Sequence, residues 1–266
     1  MIIDGRALAK EILARAKARA EKLARPPLAV ALTASDTPAT RSYLAMKAKR
    51  ATDAGCVFET RALGVNFEDA DAVIVQLPVP AGANQKGICD AIPVEKDADV
   101  LSSASRAKFE QGDGDALLPP VVGAVREIFI RNGVDSKGKK AVVIGAGWLV
   151  GNPCAKWLAQ QGVEVSVLTS KSDNLSAALG KADIIISGAG SPHFIKPDML
   201  KQDVVLIDAG TSESDGTIAG DADPTCADKC SIFTPVPGGV GPLAVACLFE
   251  NVVTLAEQKN SAIIRA

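Results

Sequence analysis

The segment AVVIGAGWLVGNPCAKWLAQQG, Ala141–Gly162, constrains this chain more than any other. An apolar run meets the turn Gly145-Ala146-Gly147-Trp148-Leu149-Val150-Gly151, a GxGxxxG pattern, and the turn opens into a helix. EVSVLTS, Glu164–Ser170, follows as a second strand. Strand, glycine turn, helix and strand thus fit one short parallel crossover unit. Gly145 and Gly147 permit a tight turn and close approach of another molecule to the backbone. The helix N-terminus adds free amide donors and the positive end of its dipole. Those features suit a pyrophosphate, so the expectation is a dinucleotide site built on Gly145, Gly147 and Gly151.

The second strand points to the nucleotide. A site for NAD places an acid at its end to hold the ribose diol. Here the strand ends Leu168-Thr169-Ser170-Lys171, with no acid. Ser170 and Lys171 suit a 2′-phosphate, which favours NADP and leaves NAD as the alternative. Trp148 in the turn and Thr211 after a later strand complete the expected cofactor-binding set.

The flanking sequence repeats the alternation of strands and helices, the mark of a parallel sheet. Residues 6–25 carry Leu8, Ile12, Ala16 and Leu23 at helical spacing, and Pro26-Pro27 stops them. LAVALT (Leu28–Thr33) reads as a buried strand, about Ser42–Ala54 as a helix, Val57–Thr60 and Ala72–Gln76 as strands. After Leu118–Pro120 come a helix at about Val122–Asn132, the glycine-turn unit, and two further strands, Ala182–Gly190 and Val204–Gly210. A closing helix runs from about Leu243 to Lys259.

Bulk properties exclude several classes. A net charge of −2, with Lys and Arg scattered over 266 residues, leaves no footprint for nucleic acid. No apolar run approaches the roughly 18 residues of a membrane span, and MIIDGRALAK has no signal-peptide core. The expected location is cytoplasmic. Six dispersed cysteines argue against a disulfide framework, and Cys226 and Cys230 lack a second pair for zinc, so no metal is expected. The single histidine, His193, rules out most histidine-based triads. Acid–base chemistry then falls to Lys, Tyr, Asp or Glu.

Tyr43 and Lys47 stand four apart and share a helix face. Gln76 ends the strongest N-terminal strand, Asp97 and Asp99 lie in KDAD, and TPVPGGVGP (Thr234–Pro242) has six glycines or prolines in nine residues. The successive motifs SYLAMK (Ser42–Lys47), VQLPVP (Val75–Pro80), EKDAD (Glu95–Asp99), GDAD (Gly220–Asp223) and TPVPGGVGP resemble those of bifunctional methylenetetrahydrofolate dehydrogenase/cyclohydrolase, in order and spacing, over essentially the whole chain.

That resemblance implies two α/β domains with an interdomain cleft, the second domain a Rossmann-type parallel sheet, and a homodimer. Residues 1–118 with the C-terminal helix 243–266 would form the folate domain, and 119–242 the dinucleotide domain. The implied reaction takes a hydride from 5,10-methylenetetrahydrofolate to NADP and hydrolyses the resulting methenyl cation to 10-formyltetrahydrofolate, in one-carbon metabolism. Lys47 matches the catalytic lysine, Gln76 the residue that positions it, Tyr43 the aromatic that stacks on the substrate, and Asp99 the aspartate that binds the pterin. Pro237, Gly238 and Gly239 match the loop beside folate and nicotinamide.

Four departures from the family pattern stand out. Ala146 replaces an arginine often used for the 2′-phosphate. Val100 stands where the family has glycine. Only Arg61–Asp71 joins two strands that the family links by a longer helical connection. GPLA ends in Ala244, without the usual hydroxyl. The competing readings are a cyclohydrolase without the first activity, a different Rossmann oxidoreductase acting on a small acid, and a non-catalytic nucleotide-binding protein.

Overall fold

Asp4 starts the first helix: its Oδ1 accepts from the backbone N–H groups of Arg6 and Ala7 at 3.1 and 3.0 Å, capping α1 (Gly5–Ala20). Ile12, Leu13 and Ala16 bury one stripe of it. It ends before the anticipated Arg25, because the chain tightens into three-residue turns at Lys22 and Leu23. The computed structural model describes residues 1–214 and 217–265. These residues form two compact units, Ala9–Pro120 with Val245–Ala266, and Met1–Leu8 with Val121–Ala244.

In the first unit, β1 (Leu28–Thr33) is the apolar run expected, with Ala29, Val30 and Ala31 wholly buried. α2 (Pro38–Asp53) starts earlier than anticipated, since Thr37 caps it and Pro38 suits its first turn. β2 (Val57–Ala62) and β3 (Ala72–Val75) pair in parallel with opposite edges of β1, giving the order β2-β1-β3. The crossover from β2 to β3 has no helix. Arg61 holds it, donating to Asn66 O at 2.9 Å and to both oxygens of Asp69 at 2.7 and 2.8 Å. α3 (Gln85–Asp90) and α4 (Ser103–Gln111) follow, capped by Asn84 and Ser102.

The second unit begins with α5 (Pro120–Arg131) and continues with β4 (Lys140–Ile144), α6 (Gly151–Gln160), β5 (Glu164–Leu168), α7 (Leu175–Leu179), β6 (Ile184–Ser187) and β7 (Val204–Asp208). A small antiparallel pair, β8 (Ser212–Ser214) and β9 (Thr217–Ala219), precedes β10 (Cys230–Phe233). The five main strands are all parallel, in the order β10-β7-β6-β4-β5. Ile144, Leu179, Ile185, Leu206 and Phe233 belong to one buried cluster under the sheet. Met1–Leu8, assigned from sequence to the folate domain, cluster instead with this unit. Ile3 N–H donates to Phe233 O, and Phe233 N–H to Met1 O, both at 2.9 Å, so the N-terminus lies as a parallel extension beside β10.

α8 (Val240–Arg265) is longer than the helix anticipated. Its stretch Val240–Ser261 has a mean hydropathy of 1.4 in its most apolar window, enough by length and composition to cross a membrane, although no uninterrupted apolar run announced it. Most of that window is buried within the protein. Phe249, Val252 and Val253 are fully enclosed, and the Phe249 ring meets Phe58 edge-on at 6.2 Å. That is the environment of a core helix. All six cysteines are buried, and none is in a disulfide.

Candidate active site

Both sheets share one topological device. In the first unit the chain leaves β1 towards β2 on one side and returns to β3 on the other. In the second it leaves β4 towards β5 and returns to β6. The loops at the carboxyl ends of the central strands therefore diverge, and open α/β sheets bind ligands in the crevice so formed. Each unit places several of its sequence-predicted residues near that position.

Gln76 follows β3 directly, and its N–H continues the ladder to Leu32 O at 2.8 Å. Its side chain is only 7% exposed, and both ends are engaged. Nε2 donates to Leu77 O at 2.7 Å, just before the cis Leu77–Pro78 bond. Oε1 accepts from Lys47 Nζ at 2.9 Å. Fixing the amide at its nitrogen end leaves the oxygen one direction in which to face the lysine. Lys47 rises from α2, and burial pushes its pKa below the ordinary lysine value, against the opposing pull of Asp99. Tyr43, one turn earlier, is 51% exposed, an aromatic left in water on the same helix face.

Asp99 completes the group. Asp97 bridges in parallel to Val73 on the free edge of β3, which leads Asp99 towards the carboxyl end of that strand. The segment is held from three sides. The buried Asp97 carboxylate accepts from the N–H groups of Leu101 and Ser102 at 3.0 and 2.7 Å. Arg106 Nε donates to Val100 O at 2.8 Å. Asn251 of α8 donates to Ala98 O and Leu118 O, both at 2.9 Å. Val100, one of the departures, has φ 55°, a left-handed conformation costly for a β-branched residue and natural for glycine. Burial raises the Asp99 pKa to about 6, while the Lys47 charge pulls it down. An amine with a lowered pKa and a carboxyl with a raised one therefore sit within each other's field, an arrangement suited to moving protons.

In the second unit Gly145 has φ 97°, and a Cβ there would lie 2.8 Å from Gly188 O. A Cβ on Gly151 would lie 1.8 Å from Gly145 O. These two glycines are demanded by the packing of the turn on itself and on the loop after β6. Gly147 has open space where its Cβ would point, so its bare backbone faces outward. Gly145 N–H donates to Leu168 O at 2.8 Å, tying the turn to the end of β5. Thr169, Ser170 and Lys171 are exposed immediately beyond it, and Trp148 is half-buried in the turn. Thr211 is exposed after β7, at the same end of the sheet. Next to it, Ser212 Oγ is buried without a partner. A glycine turn with open space at its tip, exposed hydroxyl and ammonium groups after β5, and an unpaired hydroxyl after β7 fit a dinucleotide carrying an extra phosphate.

Pro237, Gly238 and Gly239 follow β10 in a sharply turned loop. The Val236–Pro237 bond is cis, Gly238 has φ 112°, and a Cβ on Gly239 would lie 2.6 Å from Pro235 O. A Cβ on Gly5 would lie 1.9 Å from Gly239 O, so the start of α1 packs on this backbone.

Comparison with known proteins accords with this geometry. Residues 119–260 match the family described as tetrahydrofolate dehydrogenase/cyclohydrolase, NAD(P)-binding domain. The bifunctional protein FolD of Lacticaseibacillus paracasei is 35% identical over 97% of this chain and 98% of its own. The chain belongs to the tetrahydrofolate dehydrogenase/cyclohydrolase family. The FolD crystal structure from Campylobacter jejuni superposes with a TM-score of 0.91 at 31% identity, covering 97% of this chain and 99% of that one. The Trypanosoma brucei FolD structure, described as complexed with NADP and an inhibitor, has a TM-score of 0.89 at 26% identity, over 100% and 99% of the two chains.

Within this dehydrogenase/cyclohydrolase chain, the structure joins Lys47 and Gln76 directly, places Asp99 in their field, and sets Tyr43 beside Lys47. The glycines of the turn, Ser170, Lys171 and Thr211 gather at one end of the second sheet. Sequence reasoning missed Asn251, Arg106 and the supporting role of Asp97. The signal for Asn251 was an amide next to Glu250, the first polar side chains after a long apolar stretch of the helix.

Proposed function

We propose that this chain oxidises 5,10-methylenetetrahydrofolate with NADP and hydrolyses the methenyl product to 10-formyltetrahydrofolate. The observation that carries this reading is the Lys47 Nζ–Gln76 Oε1 hydrogen bond at the carboxyl end of β3, in a chain of the dehydrogenase/cyclohydrolase family. NADP, when bound, supplies a nicotinamide carbon that accepts the hydride and its electron pair. Gly145, Gly147 and Gly151 would hold its pyrophosphate, Ser170 and Lys171 its 2′-phosphate, and Trp148 and Thr211 the adjoining surface.

The remaining chemistry belongs to side chains of the first unit. The Tyr43 ring stacks on the folate, and the Asp99 carboxylate accepts from the amino-bearing edge of the pterin. Loss of hydride leaves an electrophilic carbon between N5 and N10. Water adds to that carbon, and neutral Lys47 takes the proton released. Lys47 then returns a proton to N5 as the carbon–N5 bond breaks, and the adduct's hydroxyl gives its own proton to solvent as the C=O forms, leaving the formyl group on N10 and one proton released overall. A lysine of ordinary pKa would hold its proton throughout; burial makes Lys47 able to give and take it. Gln76 keeps Nζ in place through both transfers. Pro237, Gly238 and Gly239 offer a wall whose shape is fixed by backbone rather than by mobile side chains.

Purified protein supplied with 5,10-methylenetetrahydrofolate and either NADP or NAD tests this reading. Absorbance should show reduced NADP with little accumulation of the methenyl species. Absence of reduction with either nucleotide, together with unaccelerated hydrolysis of supplied methenyltetrahydrofolate, rejects it. We also propose a cytoplasmic homodimer, on the family likeness. A monomer mass in light scattering would overturn the second part.

A further inference from the structure

The GDAD motif, Gly220–Asp223, has no role in the chemistry above, yet it contains one of the most enclosed carboxylates in the protein. Asp221 is 0% exposed. Its two oxygens accept from Ser187 Oγ at 2.6 Å, Ala189 N at 2.8 Å and Ser191 N at 2.8 Å. All three donors lie at or just beyond the carboxyl end of β6. That loop is one wall of the crevice at which the second sheet binds its ligand; the glycine turn after β4 is the other. The walls are in contact. A Cβ on Gly145 would meet Gly188 O at 2.8 Å, and a Cβ on Gly188 would meet Val150 Cγ1 at 2.5 Å.

The loops behind this wall are cut to fit the carboxylate. A Cβ on Gly210, after β7, would lie 2.2 Å from Asp221 Cγ. Asp208, at the end of β7, reaches the opposite way: it accepts from Gly210 N at 2.9 Å and Ala222 N at 2.8 Å, and a Cβ on Gly220 would lie 2.3 Å from its Oδ2. Each aspartate thus occupies space vacated by a glycine one or two residues from the other. Two buried carboxylates this close are costly to assemble, and a core of apolar residues would serve stability better. What the arrangement provides is a fixed course for the 188–191 loop, whose Ala189 and Ser191 N–H groups are drawn inward, away from the crevice.

We propose that Asp221 is a positioning residue for the dehydrogenase step: it sets the β6 wall of the dinucleotide crevice, and through it the seating of NADP against the glycine turn. This rests on the reading of the chain as a dehydrogenase/cyclohydrolase, and the wild-type protein assayed in parallel tests that reading separately.

The experiment compares wild type with Asp221→Asn and with the milder Ser187→Ala, which removes one donor and leaves the carboxylate. Titration calorimetry gives the NADP dissociation constant; steady-state assays give kcat and KM for NADP, and the rate of hydrolysis of supplied methenyltetrahydrofolate. In Asp221→Asn the NADP dissociation constant and KM should rise at least tenfold. Ser187→Ala should raise them two- to fivefold. Hydrolysis, which needs no nucleotide, should stay within twofold of wild type in both. Unchanged NADP affinity in both variants overturns the proposal. So does a parallel fall of oxidation and hydrolysis accompanied by a lowered melting temperature, since that marks a support for folding and not for the crevice. If Asp221→Asn does not fold, Ser187→Ala alone decides by the same criteria.

Discussion

At the scale of single residues, Lys47, Gln76 and Asp99 carry the account. Removing the proposed general base in Lys47→Ala should slow hydrolysis of methenyltetrahydrofolate by about 10²–10⁴-fold, with the fold retained by circular dichroism. The Asp99 charge raises the Lys47 pKa, so its removal lets that pKa fall further. In Asp99→Asn the ascending limb of kcat against pH should therefore move to lower pH. If Asp99 accepts from the pterin as a carboxylate, wild-type KM for folate should rise as pH drops through about 6, and the variant should lose this dependence. Steady-state profiles of the two proteins between pH 5 and 9 check both statements. The chemically distinctive residues were legible in the sequence because their types and motif order are unusual. Their aim was not: it comes from Asn251, hidden by its distance in sequence, and from Asp97 and Arg106, whose short-range contacts to backbone groups carry no sequence pattern.

At the scale of elements, helices and strands followed from apolar runs and turn residues, and their ends from caps. β1 was legible to the residue because Pro26-Pro27 precedes it and continuous apolar character fills it. α3, α4 and α7 were not anticipated: each is short, and none carries a long apolar period. β10 escaped as well, since CSIF is four residues with one polar interruption. The Ser102 cap and Gly112, at φ 70°, were the available signals for α4. Asp71 ties three elements together. It is 4% exposed, takes Arg25 through both oxygens at 2.7 and 2.8 Å, and accepts from Leu28 N and Lys259 Nζ, each at 2.9 Å. Burial alone would raise its pKa, but these donors outweigh it and hold the pKa below the usual carboxylate value. Asp71→Asn should cost about 2 kcal/mol at neutral pH, because the half-buried Leu28 N–H and two cations lose a charged acceptor. A depressed carboxylate stabilises above its unfolded pKa and loses that contribution as pH falls through the folded value. The deficit of the variant in denaturant melts should accordingly shrink in acid. A constant deficit would show that charge is not its source.

At the scale of the whole molecule, each unit repeats one solution: a central strand whose neighbours are reached in opposite directions, with several proposed site residues near the divergence. The sequence made the second unit plain through GxGxxxG. The first was legible only through its motifs, because a β2-to-β3 crossover without a helix breaks the usual alternation. The proposed nucleotide-binding residues lie in one unit and Lys47, Gln76 and Asp99 in the other, which predicts separable loss. Gly151→Ala, whose Cβ would meet Gly145 O, should abolish NADP reduction and leave hydrolysis of supplied methenyltetrahydrofolate within twofold. Paired assays on that one variant read both.

The most direct test of the bifunctional account follows carbon through both steps. Wild type and Lys47→Ala are each given 5,10-methylenetetrahydrofolate and NADP, and the folate products are separated by chromatography. The account predicts 10-formyltetrahydrofolate in step with reduced NADP from the wild type, and little enzyme-accelerated formyl product from the variant. Wild-type protein that reduces NADP but leaves methenyltetrahydrofolate to hydrolyse at the buffer rate, or a variant that forms the formyl product as fast as wild type, would contradict it.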